Sequence, residues 1–400
     1  MKLALTKNID WVGKIDWEIR RFHGHEFSTN RGTSYNSYLI KDTKNVLVDT
    51  VARPFGKEFV RNLIWEINPQ QIDYVVVNHA EPDHSGGLPE LMKLIPNTPI
   101  ICTKNCVASL RGHYHEDWNF QIVKTGDRIS IGKNELMFIE APLLHWPDTM
   151  FTYLTNEKVL FSNDVFGQHF ATEFLTNDQV NQDELYAEAL KYYANILTRF
   201  SPLVTQKITE LLKLNLPLNI IAPSHGVIWR KKPQQIVEKY LKWANNYQEN
   251  QITIVYDTMW GATRLMAEYI AKGIIKVDNK TTVKLFKVSN SDKNDIITEI
   301  FKSKTVVIGS PTVNSGEMPE IAGLLREIAG HNFKDKKAAV FGSYGWSGEA
   351  QKKVLDNLKS SGFNMIDDGL KLLWQPDDQA LEQCIAYGEK IATSSIISHK

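Results

Sequence analysis

The segment VVVNHAEPDHSGG at 75–87 runs an apolar strand straight into His79, Glu81, Asp83 and His84. In an extended chain residues 79, 81 and 83 project to one side, and His84 turns the other way. Gly86 and Gly87 then let the backbone turn sharply. Three more donors stand just past other apolar runs: His145 after 135–142, Asp164 closing 158–164, and His225 after 218–224. Loops at strand ends are where functional groups gather. Four imidazoles and three carboxylates exceed what one tetrahedral zinc takes. They suit two metal ions with one carboxylate shared. Imidazole mixed with hard carboxylate favours iron or manganese over a thiolate-demanding site. Two divalent ions against three carboxylates leave a residual charge of about +1 for a bridging hydroxide or an anionic adduct. His113, His115, His169, His331 and His399 lack the strand-end setting and read as surface or structural residues. Cys102 and Cys106 read as small buried residues.

Short β-rich runs must position these donors: 33–40, 45–50, 73–79, 98–103, 135–142, 158–164 and 218–225. Several are continuously apolar, as strands buried on both faces are. Helical spacing lies between some of them. In GKEFVRNLIWEI (56–67) it predicts Phe59, Leu63, Ile64 and Ile67 on one face, and the longest helix is expected over about 182–200. From 251 the pattern changes to regular alternation, with strands near 251–257, 281–288, 304–310, 336–343 and 363–374, each followed by a helix. Such alternation predicts a doubly wound parallel sheet. The polar stretch 244–251 reads as a linker, placing one domain at 1–248 and another at 251–400.

Composition narrows the function. The 400 residues carry 46 Lys+Arg against 46 Asp+Glu, which removes the basic footprint of nucleic-acid binding. No apolar stretch reaches the ~18 residues of a membrane span, and the amino terminus lacks a signal-peptide core. Three cysteines make no disulfide framework and suit a reducing cytoplasm. The CxxxC spacing of Cys102 and Cys106 excludes a built-in rubredoxin-type or zinc-ribbon site.

The HxExDH pattern resembles the metallo-β-lactamase fold, whose usual motif is HxHxDH, with Glu81 standing where the second histidine would be. With His145, Asp164 and His225, that replacement resembles the flavodiiron proteins, in which the carboxylate accompanies iron in place of zinc. The resemblance spans nearly the whole chain, through Phe22-His23-Gly24, LLHWPD at 143–148, SNDVFGQH at 162–169, YYANIL at 192–197 and SHGVIW at 224–229. It implies a metallo-β-lactamase-like αββα sandwich followed by a flavodoxin-like domain. It also implies that His79, Glu81 and His145 hold one iron, that Asp83, His84 and His225 hold the other, and that Asp164 bridges. His23 and Tyr193 match residues that line the oxidant pocket, with His25 and Tyr192 close enough to compete for those places.

The second domain tests this independently. Its first strand ends YDTMWGAT, where Thr258, Met259, Trp260, Gly261, Ala262 and Thr263 form the loop in which flavodoxin-like domains hold the FMN phosphate. Hydroxyls, free N–H groups and a helix N-terminus suit an anion. The loop lacks GxGxxG and GxxxxGK[ST], against a dinucleotide or triphosphate site. Two more loops follow the third and fourth strands. They carry Ser310, Pro311, Thr312, Val313, Asn314 and Gly316, then Ser343, Tyr344, Gly345, Trp346 and Gly348, with Tyr344 and Trp346 placed to pack on the isoalloxazine.

A flavin joined to a diiron site couples electron input to reduction of a small oxidant. The resemblance implies reduction of O2 to water, of NO to N2O, or both, and is closest to the core of the flavorubredoxin nitric oxide reductases. With no CxxC pair, the donor is expected to be an external rubredoxin. A linker does not aim one site at the other, so the resemblance further implies a head-to-tail homodimer or a dimer of dimers. The competing reading is a zinc hydrolase of the lactamase fold with an accessory flavodoxin-like domain.

Overall fold

The computed structural model describes residues 3–396, in two compact units, the first ending at Ala244 and the second beginning at Asn245. In the first, a seven-stranded sheet runs in the order Leu3–Ala4, Ile9–Trp11, Tyr38–Ile40, Asn45–Val48, Ile72–Val76, Ile100–Cys102, Phe120–Ile122. A five-stranded sheet runs Arg128–Ser130, Glu135–Glu140, Met150–Leu154, Val159–Asn163, Ile220–Pro223. The strand period of two sorts the apolar residues. Val46, Val48, Val76 and Ile101 join Phe138, Leu154 and Phe161 in a core between the sheets. Leu47, Val75 and Ile100 point the other way, onto Phe59, Leu63, Leu91 and Leu110 of the covering helices. Leu160 lines one cavity with Ile208 and Leu241 of helices Ser201–Lys213 and Gln234–Ala244, which cover the outer face of the second sheet. The layers are therefore helix, sheet, sheet, helix, as the resemblance implies.

Local structure departs from the sequence reading at several places. On helix Gly56–Glu66 the buried residues are Phe59, Val60 and Leu63, spaced i, i+1 and i+4, while Ile64 is 50% exposed. The expected strand 33–40 is two strands, Thr33–Tyr35 and Tyr38–Ile40, which pair in different sheets. The expected helix 182–200 is α-helical only over Gln182–Tyr192, then passes through a π-helical turn at Tyr193–Leu197 before Ser201–Lys213. The stretch 244–251 is not all linker, because strand Glu249–Tyr256 begins inside it.

In the second unit the sheet order is Thr282–Lys287, Glu249–Tyr256, Ser303–Gly309, Lys337–Tyr344, Asn364–Met365, with Leu370–Leu373 also paired to Lys337–Tyr344. Every pairing is parallel. In chain order this is 2-1-3-4-5, the flavodoxin arrangement. Ile252 and Ile254 face helices Ala262–Val277 and Asp378–Ile396, while Gln251 and Thr253 bond Glu299 on the opposite face. The two helices approach closely at Gly273 and Gly388, where an added Cβ would fall 2.1 Å from Ile385 O and Ile270 O respectively. Among the described residues no helix is long and apolar enough to cross a membrane.

Candidate metal centre and flavin site

His79 follows strand Ile72–Val76, Asp164 follows Val159–Asn163, and His225 follows Ile220–Pro223. His145 lies in the loop between Glu135–Glu140 and Met150–Leu154. The HxExDH segment is not extended, contrary to the reading from sequence. Pro82–Ser85 is a helical turn, started by a proline whose missing N–H costs nothing at that position. The turn carries Asp83 and His84. Buried Asp49 links two of the strand ends: it accepts from Asn78 N (2.8 Å), Asn78 Nδ2 (3.1 Å) and Asn163 Nδ2 (3.4 Å). Thr50 binds His84 O through both its N and Oγ1, each at 2.7 Å.

All seven predicted donors converge. Asp164 Oδ2 lies 3.8 Å from His79 Nε2 and 3.5 Å from His145 Nε2. Its Oδ1 lies 3.2 Å from His84 Nε2 and 3.5 Å from His225 Nε2. Glu81 Oε2 sits on the first side, 3.1 Å from His79 and 3.5 Å from His145. Asp83 Oδ2 sits on the second, 3.2 Å from His84 and 3.1 Å from His225. Two overlapping donor groups result, with Asp164 offering one oxygen to each.

A metal fits this set on its own chemistry. Asp83 Oδ1, His84 Nε2 and Asp164 Oδ2 are buried and make no hydrogen bond, a costly arrangement unless a cation completes it. Burial opposes charge on Glu81, but His23, His79 and His145 outweigh it and hold its carboxyl well below the usual range. Burial likewise opposes charge on His84, yet Asp83 and Asp164 raise it to about 9. The cluster thus keeps anionic carboxylates against imidazoles whose protons a metal ion would replace.

Around the donors, His23 and His25 are both exposed, and His23 Nε2 reaches Glu81 Oε1 at 2.8 Å. Tyr192 O–H donates to Asp164 Oδ1 at 3.1 Å. Tyr193 faces elsewhere: its hydroxyl meets Ser201 Oγ at 2.9 Å and its ring packs on Tyr240 and Trp243. Of the two tyrosines, Tyr192 is therefore the one whose hydroxyl reaches the donor cluster, because consecutive helical residues point about 100° apart. His169 is not a surface residue. It is buried, with Nδ1 on Thr33 Oγ1 at 2.9 Å and its ring against Phe22, Tyr192 and His225. His113 stacks on Trp146, His115 is exposed, and His331 Nδ1 bonds Glu327 O. His399 lies outside the described residues. Cys102, Cys106 and Cys384 are free and buried.

In the second unit a cavity of about 460 Å³ opens at the carboxyl ends of the strands, within the range of cofactor sites. Thr258, Met259, Trp260, Ala262, Pro311, Thr312, Ser343, Tyr344, Gly345 and Trp346 line it. The other predicted residues shape its loops. Gly261 has φ +90° at the start of helix Ala262–Val277, with its N–H on Thr258 Oγ1 at 3.0 Å. Thr263 Oγ1 meets Ser343 Oγ at 3.0 Å, and Ser310 Oγ accepts from Met318 N at 3.0 Å. Val313 and Gly316 bond each other across a turn that contains Asn314. Gly348 has φ +76°, and an added Cβ would lie 3.0 Å from the Tyr344 ring. Trp374 and Gln375 also line the cavity and were not read from the sequence. The signal was the second half of the strand near 363–374, which ends on Trp374 beside Trp346. A helix N-terminus, a hydroxyl-rich loop and four aromatic side chains fit a flavin phosphate and ring.

Comparison with known proteins agrees with both halves. Residues 33–226 match the ODP family beta lactamase model, and residues 254–388 match flavodoxin. The anaerobic nitric oxide reductase flavorubredoxin of Escherichia coli O6:K15:H31 (strain 536 / UPEC) is 55% identical over 394 residues, covering 98% of this chain and 82% of that protein. The flavorubredoxin of Klebsiella pneumoniae is 55% identical over 400 residues, covering 100% of this chain and 83% of that protein. Among solved structures, rubredoxin oxygen:oxidoreductase from Desulfovibrio gigas superposes with a TM-score of 0.96 at 35% identity, over 99% of each chain. The flavodiiron protein from Giardia intestinalis gives 0.94 at 32% identity, over 99% of this chain and 97% of that one.

Proposed function

The chain belongs to the flavodiiron proteins, and from that premise we propose that it is an FMN-dependent oxidoreductase reducing nitric oxide to nitrous oxide at a diiron centre. The observation that carries the reading is the division of Asp164, one oxygen toward His79 and His145 and the other toward His84 and His225. In this reading His79, Glu81 and His145 hold one iron, Asp83, His84 and His225 hold the other, and Asp164 bridges. When bound, the metals supply single electrons to a small oxidant and the FMN relays them from an external donor such as rubredoxin.

The residues around the centre have separate tasks. Tyr192 directs a hydroxyl at the bridging carboxylate, which steadies its charge. His23 orients Glu81 from the opposite side. The buried Phe22 ring packs on His225 and His23. In the second unit Thr258 and the N–H groups at the helix start would hold the phosphate, and Tyr344, Trp346 and Trp374 would enclose the ring.

Dioxygen reduction is the second reading, favoured by the likeness to the Desulfovibrio gigas oxygen reductase. Glu81 and the flavin cavity count against a zinc hydrolase. We further read the assembly as a head-to-tail homodimer or a dimer of dimers, and the compartment as the cytoplasm, which suits three free buried thiols. Anaerobic turnover of the reduced, iron-loaded protein with NO, and separately with O2, tests the reading. Nitrous oxide formed at many turnovers per chain supports it, and no turnover with either gas sinks it.

A further inference from the structure

Asp148 stands behind His79, on the side away from the other donors. Its Oδ2 lies 3.1 Å from His79 Nδ1 and accepts from Ala80 N–H at 2.7 Å. Both groups are shut off from solvent. The aspartate is itself held. Thr103 Oγ1 donates to Asp148 O at 3.0 Å, and Asn105 Nδ2 donates to Pro147 O at 3.1 Å. Thr103 also caps helix Lys104–Tyr114 by accepting from Cys106 N. The Trp146 ring edge packs on the His79 ring at 5.0 Å. The imidazole therefore has little freedom to swing or flip.

The hydrogen bonding fixes which nitrogen faces the centre. An ionised aspartate only accepts, so His79 must present Nδ1–H to it. Nε2 is then left toward Glu81 Oε2 and Asp164 Oδ2, at 3.1 and 3.8 Å. The opposite side of the centre is built differently. His225 Nδ1 faces a neutral backbone carbonyl, Ser34 O, at 2.7 Å. A full negative charge behind His79 and a carbonyl dipole behind His225 make these two imidazoles unequal as ligands, because a carboxylate partner raises ligand basicity more.

We propose that Asp148 is a positioning residue of the centre: it locks His79 in the Nδ1–H tautomer and strengthens Nε2 as a ligand, which tightens the hold on the metal of the Glu81 side and leaves the metal of the Asp83 side unaffected. The proposal rests on reading the seven donors as a two-metal site.

Asp148→Asn is the discriminating variant. Both hydrogen bonds converge on one oxygen, and an asparagine carbonyl can accept both, so orientation survives while the charge is lost. Three proteins loaded with ferrous iron without oxygen would be challenged with rising chelator: the wild type, His225→Ala, which keeps the Glu81 side, and His145→Ala, which keeps the Asp83 side. Asp148→Asn is expected to weaken iron retention about 10–100-fold in the His225→Ala background and to leave the His145→Ala background unchanged. Equal weakening in both backgrounds, or in neither, overturns the proposal. Wild type that retains no iron would sink the two-metal reading instead. If Asp148→Asn does not fold, 15N-histidine spectra of the zinc-loaded wild type decide: a proton on His79 Nδ1 supports the proposal and a proton on Nε2 overturns it.

Discussion

Tyr192 donates its hydroxyl to Asp164 Oδ1 over 3.1 Å, inside a pocket closed to solvent. A hydrogen bond to a buried charge is worth ~1.5–3 kcal/mol. Tyr192→Phe is therefore expected to lower turnover with NO about 10–100-fold while iron and FMN stay bound. Tyr193→Phe loses the Ser201 partner instead and should cost about 1 kcal/mol of stability with turnover kept. Steady-state rates and thermal melts of the pair check this, and equal rates for the two variants would refute the assignment of Tyr192.

Asp164 faces both donor groups, so Asp164→Ala should empty both metal positions, whereas His225→Ala should empty chiefly the one it lines. Iron analysis after anaerobic loading gives the count. Retention of iron by Asp164→Ala at the wild-type level would remove it from the bridging role.

Thr258 Oγ1 accepts from Gly261 N at the mouth of the flavin cavity. Aspartate and asparagine can both keep that bond, but aspartate adds a negative charge among the phosphate donors. Thr258→Asp should bind FMN about 5–30-fold more weakly than Thr258→Asn, a charge effect of ~1–2 kcal/mol. Trp374→Ala should lose about fivefold through aromatic contact worth ~1 kcal/mol. Flavin fluorescence titration of the apoflavin protein measures all three.

Burial pushes the Asp49 carboxyl up to about 6, against the hydrogen bonds from Asn78 and Asn163 and the charge of His84. The unfolded value is ~3.9, so between about pH 4 and 6 the folded state keeps a proton that the unfolded chain has released. The contribution to stability is full below pH ~4 and is lost as the pH rises through 6. A rise of this size corresponds to about 3 kcal/mol. Asp49→Asn cannot titrate. In urea unfolding of metal-free protein, wild type should lose stability relative to Asp49→Asn between pH 4 and 7. A difference that stays flat over that range would mean the carboxyl is ionised throughout.

Heterodimers test the assembly. One chain would carry His79→Ala with Asp83→Ala, and its partner Thr258→Asp. If flavin and iron work across the dimer, one junction survives and co-expressed heterodimers should recover about half the activity. Inactive heterodimers would place both cofactors in the same chain.

Much of this protein is legible in its residues alone. Seven metal-ligand side chains stand just past apolar runs, and a buried strand has nowhere to put such groups except at its end, so His79, Asp164 and His225 declare themselves locally. The second unit announces its parallel sheet because each strand and helix carries its own period, and its first helix starts at a glycine after a hydroxyl-rich loop. Three-dimensional packing decided the rest. Tyr192 and Tyr193 are identical in type and adjacent in sequence. Only the direction of the helix into the π-helical turn at Tyr193–Leu197 selects which one meets Asp164. Asp49 and Asp148 lie far along the chain from the groups they support and follow no spacing rule. Their roles exist only where distant segments meet, because a hydrogen bond or a ring contact depends on distance in space and carries no mark in the order of residues.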